Sequence, residues 1–195
     1  RSAYLQDPRA VVAAPDGSVY IADTGHDVVR RVNPAGIIDR AAGCYTMRDQ
    51  CMVPRDLSPG DPGTLCTKTY WGGSARQTRM RRPISLALAT DGSLLVGEDA
   101  QVTRLDPDGT LQHVAGRACK WAQDPGGPDY EACGNDCLGF AGDGGPARKA
   151  RLSVPVSVAA GNDGNLYIAH YSNANHVSDR VRRVDGQGRI ETVVG

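Results

Sequence analysis

Six cysteines, four histidines and a recurring set of acids are the residues of this chain whose chemistry could matter most. The cysteines fall into two groups: Cys44, Cys51 and Cys66, then Cys119, Cys133 and Cys137. A zinc site needs two close cysteine pairs, or one pair with histidines. Only Cys133 and Cys137 stand close together, with no histidine near them. These positions favour disulfides over metal, and disulfides imply an oxidising compartment. Each group has an odd count, so pairing all six within the chain needs at least one bridge between the groups. Which of the fifteen or so possible pairings forms is open at the level of sequence. Nucleophilic catalysis needs a serine or cysteine with a histidine and an orienting acid. No G-x-S-x-G elbow occurs. His26, His170 and His176 fall in loops or at strand ends, and His170 stands in the repeat slot that Asp23 holds. No catalytic residue, metal ligand or cofactor is assigned on this basis. Asp23 ends an apolar run just before Thr24-Gly25, where an acid caps the next turn through backbone N–H groups.

These residues hang on an internal repeat. Pro8–Ala22, Pro83–Gly97 and Pro155–Ala169 each read as an apolar run, an Asp-Gly turn and a second apolar run. Asp-Gly between two such runs is a strong β-hairpin signal. An arginine-bearing run follows each hairpin: Val28–Val32, Val102–Leu105 and Arg180–Val184. A further turn and a last run ending in Gly43, Gly116 or Gly195 complete each unit. In unit one the strands are placed at Ala10–Ala14, Val19–Asp23, Val28–Asn33 and Ile37–Ala41, termed a to d. Four short strands per unit, repeated at near-constant period, predict an all-β fold of propeller blades at 8–43, 83–116 and 155–195. Alanines in strand a (Ala13, Ala14, Ala87, Ala89, Ala159, Ala160) suit the crowded axis of such a fold. Strand b, apolar on both faces, suits a sheet sandwiched between neighbours. The strand-c arginines are expected to reach carboxylates or carbonyls of adjacent blades and so fix the register between them.

The connectors carry the rest. Insertions 44–82 and 117–154 are long, polar and rich in Gly and Pro, and hold all the cysteines. Leu5, Met80 and Leu152 each sit three residues before a proline anchor. Gly72-Gly73-Ser74-Ala75-Arg76 reads as a worn copy of Gly144-Gly145-Pro146-Ala147-Arg148. Arg1–Tyr4 falls in register with Arg148–Arg151, which predicts three repeats excised from a longer array. In up-and-down topology the short a–b and c–d turns share one face. The b–c loops and connectors share the other, and variable loops on a rigid scaffold are where binding residues gather. Candidate binding residues there are Asp23, Thr24, His26, Trp71, Glu98, Asp99, Trp121, Tyr171, Asn173 and His176. With 22 basic and 22 acidic residues the formal charge is zero, which argues against a nucleic-acid or anionic-membrane surface. No apolar run approaches the ~18 residues of a membrane helix.

Asp16–Val32 resembles the NHL repeat, as do Asp163–Ala169 and Arg180–Val184. Phe140–Ala147 resembles a connector of bacterial NHL arrays. With Cys133–Cys137 before it, it also resembles the cysteine-rich connector of the propeller in teneurins and bacterial YD-repeat proteins. The resemblance implies three four-stranded blades of a six-bladed NHL propeller, usually a binding module. Two enzyme types on related propellers make different demands. Lactonase-type propellers hold calcium with acids and amides where the inner strands open, but here those strands open with Arg9-Ala10, Ile84-Ser85 and Val156-Ser157. Amidating lyases place histidine ligands at the axis, and no inner strand here contains one. The expectation is a non-enzymatic binding or assembly module of a secreted or cell-surface protein. Its partner would be a protein, further blades of the same polypeptide or a second copy. The alternative is part of a metal-dependent propeller hydrolase or lyase.

Overall fold

A computed structural model of the chain describes residues 3–44, 73–117, 139–171 and 179–195. The repeat units become three antiparallel sheets. Unit one holds β1 (Pro8–Ala13), β2 (Val19–Asp23), β3 (Val28–Val32) and β4 (Ile38–Ala42) in spatial order. Unit two opens with a short strand, β5 (Gly73–Ser74), and continues with β6 (Ser85–Leu88), β7 (Leu94–Glu98), β8 (Gln101–Leu105) and β9 (Thr110–Gly116). Unit three holds β10 (Val154–Ala160), β11 (Leu166–Tyr171), β12 (Arg180–Val184) and β13 (Ile190–Val194).

The hairpins form for local reasons. In the a–b turns Asp16, Asp91 and Asp163 each accept the N–H two residues on, at 2.8, 3.0 and 3.1 Å. The glycine between takes φ of +82°, +83° and +80°, a left-handed backbone that costs a residue with Cβ ~1 kcal/mol.

One departure from the expected four strands occurs in unit two. β5 pairs with β9 and adds a fifth strand at the outer edge. It lies in the segment read as a worn connector. The alignment of that segment with Gly144–Arg148 holds in space. Ala75 and Ala147 each begin a 3-10 turn and are buried. Ala75 N–H donates to Gly109 O and Ala147 N–H to Gly188 O, both at 2.8 Å, so each connector is pinned to the c–d turn of its own unit. Ala75 O also accepts from Gly43 N–H of unit one at 3.0 Å.

Packing between the units makes the core. Val29 and Ala42 of unit one meet Leu94, Val96, Leu105 and Leu111 of unit two, with Met80 between them. Leu95, Val102 and Ala115 meet Val158, Ile168 and Ile190 of unit three, with Leu152 between them. Met80 and Leu152 are wholly buried, while Leu5, with no preceding unit here, is half-buried. β7 is buried at all five positions because its sheet is covered on both faces. The inner strands β1, β6 and β10 lie side by side, and Ser85 Oγ donates to Pro155 O across the second junction at 2.7 Å. Gly97 sits in that junction. A Cβ there would lie 2.2 Å from Ser85 Oγ and 2.6 Å from Pro155 O. Replacing Gly97 with Ala should therefore cost about 2–4 kcal/mol in denaturant unfolding. Gly186→Ala, where a Cβ would meet nothing within 4 Å, should stay within ~0.5 kcal/mol.

Candidate functional site

The polar residues singled out by sequence converge on one position that repeats in each unit. It lies where strand b meets the b–c loop. The cross-strand register makes Asp23, Glu98 and His170 equivalent, as it does Arg30, Thr103 and Arg182 on strand c. Opposite the latter, on strand d, stand Arg40, His113 and Thr192. In every unit the strand-d register slips by one residue just beside this row. A bulge of this kind re-aims side chains locally. A polar row thus threads strands b, c and d of each sheet, and each unit satisfies it differently.

In unit one the acid is at the centre. Asp23 Oδ1 accepts from Gln6 N–H at 2.8 Å. Its Oδ2 lies 2.8 Å from His26 Nδ1 and 3.0 Å from Arg30 Nε. An ionised carboxylate can only accept, so both nitrogens donate. Asp23 is wholly buried, and its neutralisation by Arg30 offsets the cost of burying it. The expected capping of the b–c turn is corrected here, because the 3-10 turn Thr24–His26 has no side-chain cap. The acid instead holds the lead-in segment at Gln6. Thr24 Oγ1 donates to Pro83 O and ties this loop to unit two at 2.5 Å.

In unit two the arginine is replaced by Thr103, and the acid has no cation in its row. Glu98 accepts from Thr103 Oγ1 at 2.6 Å, Arg81 N–H at 2.9 Å and Gln101 Nε2 at 3.3 Å. Burial dominates these bonds and pushes its carboxyl up to about 7. Next to it Asp99, half-buried, is also raised by burial and by Asp27 of unit one, against the pull of Arg82 and Arg81. Arg82 spans both acids: its N–H donates to Asp27 at 2.8 Å and its guanidinium lies 3.7 Å from Asp99.

In unit three the acid itself is gone. His170 is 2% exposed, and burial together with Arg182 and Arg180 lowers its pKa to about 4. Arg182 finds its carboxylate in the connector instead. It donates to Asp143 at 2.6 Å and to the carbonyls of Arg151 and Ala141 at 3.0 and 3.3 Å.

The strand-c arginines therefore do not bridge blades as expected. Arg30, Arg31, Arg104, Arg182 and Arg183 bond within their own unit or its connector. Arg30 reaches strand b, Arg31 and Arg104 the a–b turn, Arg183 strand d and Arg182 the connector, so in each case the carboxylate within reach is local. Among the described residues a salt bridge that does cross a junction comes from a connector, Arg76 to Asp39 at 2.5 Å. Of the candidate residues, Asp23, Thr24 and His26 cluster in unit one and Glu98 with Asp99 in unit two. Tyr171 ends β11, half-buried and opposite Val154. Trp71, Trp121, Asn173 and His176 lie outside the described residues, as do Cys51, Cys66, Cys119, Cys133 and Cys137. Cys44 is buried and disulfide-bonded.

Sequence reasoning missed Arg40, His113 and Asp143. The first two fall on a strand whose bulge has no sequence signal, and Asp143 lay in a motif valued for its glycines. It also passed over grooves that open between units on the short-turn face. One is lined by Tyr20, Arg31 and Pro107, another by Gln112, Arg148 and Leu166. Among the described residues no three His, Cys, Asp or Glu side chains converge as a metal site, and no helix is long and apolar enough to cross a membrane.

No family model matches the chain. Over 197 residues it is 28% identical to Teneurin-m of Drosophila melanogaster, a match that covers all of this chain and 6% of that protein. Among solved structures it is similar to a protein of unknown function from Bacteroides thetaiotaomicron, with 16% identity and a TM-score of 0.56. That match covers 94% of this chain and 36% of the other. It is also similar to a gluconolactonase from Xanthomonas campestris, with 12% identity, a TM-score of 0.54 and coverage of 98% and 48%. The chain spans about half or less of these relatives. At such identities the likeness speaks for the fold, and the three sheets are blades of a β-propeller.

The two shifted groups pull stability in opposite directions. Glu98 holds its proton longer in the folded state than at its ordinary 4.5. Stability from it is full below about 4.5 and falls as pH rises to about 7, a change on the order of 3 kcal/mol. His170 releases its proton earlier than at its ordinary 6.5. Stability from it is full above about 6.5 and is lost as pH falls towards about 4. The two slopes should largely cancel between pH 4.5 and 6.5. Glu98→Gln should unmask a rise of unfolding free energy with pH across that window, and His170→Gln a fall. Denaturant titrations at several pH values read both slopes directly.

Proposed function

We propose that the chain is part of a non-enzymatic binding or assembly module, three blades of a six-bladed NHL-type propeller in a secreted or cell-surface protein. One observation carries this reading. Two acids at the base of the loop-rich face are spent inside the scaffold: Asp23 and Glu98 are wholly buried, with each carboxylate oxygen engaged by groups of its own blade or lead-in segment. Such a base holds loops rigidly and leaves recognition to what the loops present. The likeness to Teneurin-m over the whole chain supports the same reading. Partners are a protein, further blades of the same polypeptide or a second copy. Val11 on β1 is 68% exposed, and Val156, Val193 and Val194 are exposed on blade three, so the outer sheets offer apolar surface to such neighbours.

Two experiments test this. Trp71→Ala and Trp121→Ala should weaken capture of the native partner at least ~10-fold with Tm unchanged, as expected of aromatic anchors. Unchanged capture, or a lactonase or lyase activity that chelation removes, would sink the proposal. Intact mass of the non-reduced chain should rise by about 6 Da on reduction if all six cysteines are paired. No change would argue against an oxidising compartment.

A further inference from the structure

Of the buried polar side chains in blade three that hold an atom without a hydrogen-bond partner, two face each other. Neither ring nitrogen of His170 has a hydrogen-bond partner, and the Nε of Arg180, directly opposite on the neighbouring strand, is buried and unpartnered as well. A buried polar group left unsatisfied costs about 1–3 kcal/mol, which is why native structures seldom contain one. Two facing each other mark a place built for something else.

Blade one shows what a histidine nitrogen and an arginine Nε take together. In it a histidine ring nitrogen and an arginine Nε both donate to one carboxylate oxygen, Asp23 Oδ2, at 2.8 and 3.0 Å. Blade two places the carboxylate of Glu98 at the same register. In blade three the histidine stands in the acid's own slot, Arg180 lies opposite it where blade one has Val28, and the row holds no acid. Its other charges are accounted for. Arg182, also on β12, is committed to Asp143 and to the carbonyls of Ala141 and Arg151. Asp179, next to Arg180, has a partner of its own. Phe140 lies against the Arg180 guanidinium at 3.9 Å and beside that of Arg182 at 5.1 Å, and closes one side with an apolar wall.

We propose that the end of β11 in blade three is a carboxylate-binding site, where a carboxylate from outside the cluster accepts from His170 and from Arg180 Nε, the same two donor types that Asp23 Oδ2 takes in blade one. The ligand is a small free carboxylate or the acidic side chain of a partner. Either adds negative charge beside His170. Arg180 and Arg182 oppose protonation of that ring, Asp143 and Asp179 favour it, and the bound carboxylate tips the balance. Binding therefore tightens as the pH falls through the histidine range.

Thermal unfolding in sodium formate, against sodium chloride at equal ionic strength, tests the site. At tenfold saturation formate should raise Tm by about 4 °C over chloride, and by more near pH 5.5 than near pH 7.5. His170→Asp supplies the missing carboxylate from within and should be insensitive to formate. Arg180→Met removes one donor, leaves the histidine in place and should also lose the response. A formate effect no larger than that of chloride, or an equal effect in both variants, overturns the proposal. If a short glycine peptide carrying one aspartate reproduces the shift, the ligand is an acidic side chain. If formate alone acts, it is a small free anion.

Discussion

Everything in this fold rests on the fact that a four-stranded sheet with apolar residues on both faces cannot stand alone. β7 shows the condition most clearly: buried at each of its positions, it is stable only with a blade on either side. The junctions follow from it. Met80 and Leu152 fill the two seams, Gly97 lets the backbones approach where β6 meets β10, and Ser85 closes the seam with a hydrogen bond to Pro155. The energy lies between the units, so each unit is free to vary in what it does with its polar groups.

That freedom is visible in the row that crosses strands b, c and d. Blade one solves the burial of charge by pairing Asp23 with Arg30. Blade two drops the cation and keeps an acid that holds its proton near neutrality. Blade three drops the acid and borrows Asp143 from the connector for Arg182, which leaves His170 unsatisfied. One structural position thus carries three electrostatic solutions. The third, which local structure does not complete, is the one on which a ligand can act.

The fold was largely legible in the sequence because its signals are local. Asp-Gly turns, the large apolar residue three positions before each proline, and the Gly-x-Ala-Arg connector each act within a few residues, and each appears where expected. The destinations of the arginines were not legible. Arg30 and Arg182 occupy the same register, yet one reaches strand b and the other a connector some forty positions away in sequence. Which carboxylate lies within reach is decided by how the chain returns, and by a strand-d bulge that no residue type announces. The fifth strand, β5, escaped for a related reason: two residues, Gly73 and Ser74, pair because Ala75 is pinned beside them, not through any β-propensity of their own.

The bond from Gly43 N–H to Ala75 O also has an architectural meaning. It brings together two points that flank residues 44–74, the larger part of the first insertion, so that the chain leaves blade one and returns beside its point of departure. A segment whose ends are fastened side by side can grow, shrink or be exchanged with little strain on the scaffold, since lengthening a closed loop adds only a slowly rising entropy cost. The propeller is in this sense a chassis with a docking port. Evolution could load different cargo at that port, or an engineer could splice in a foreign domain, while the blades remain unaware of the change.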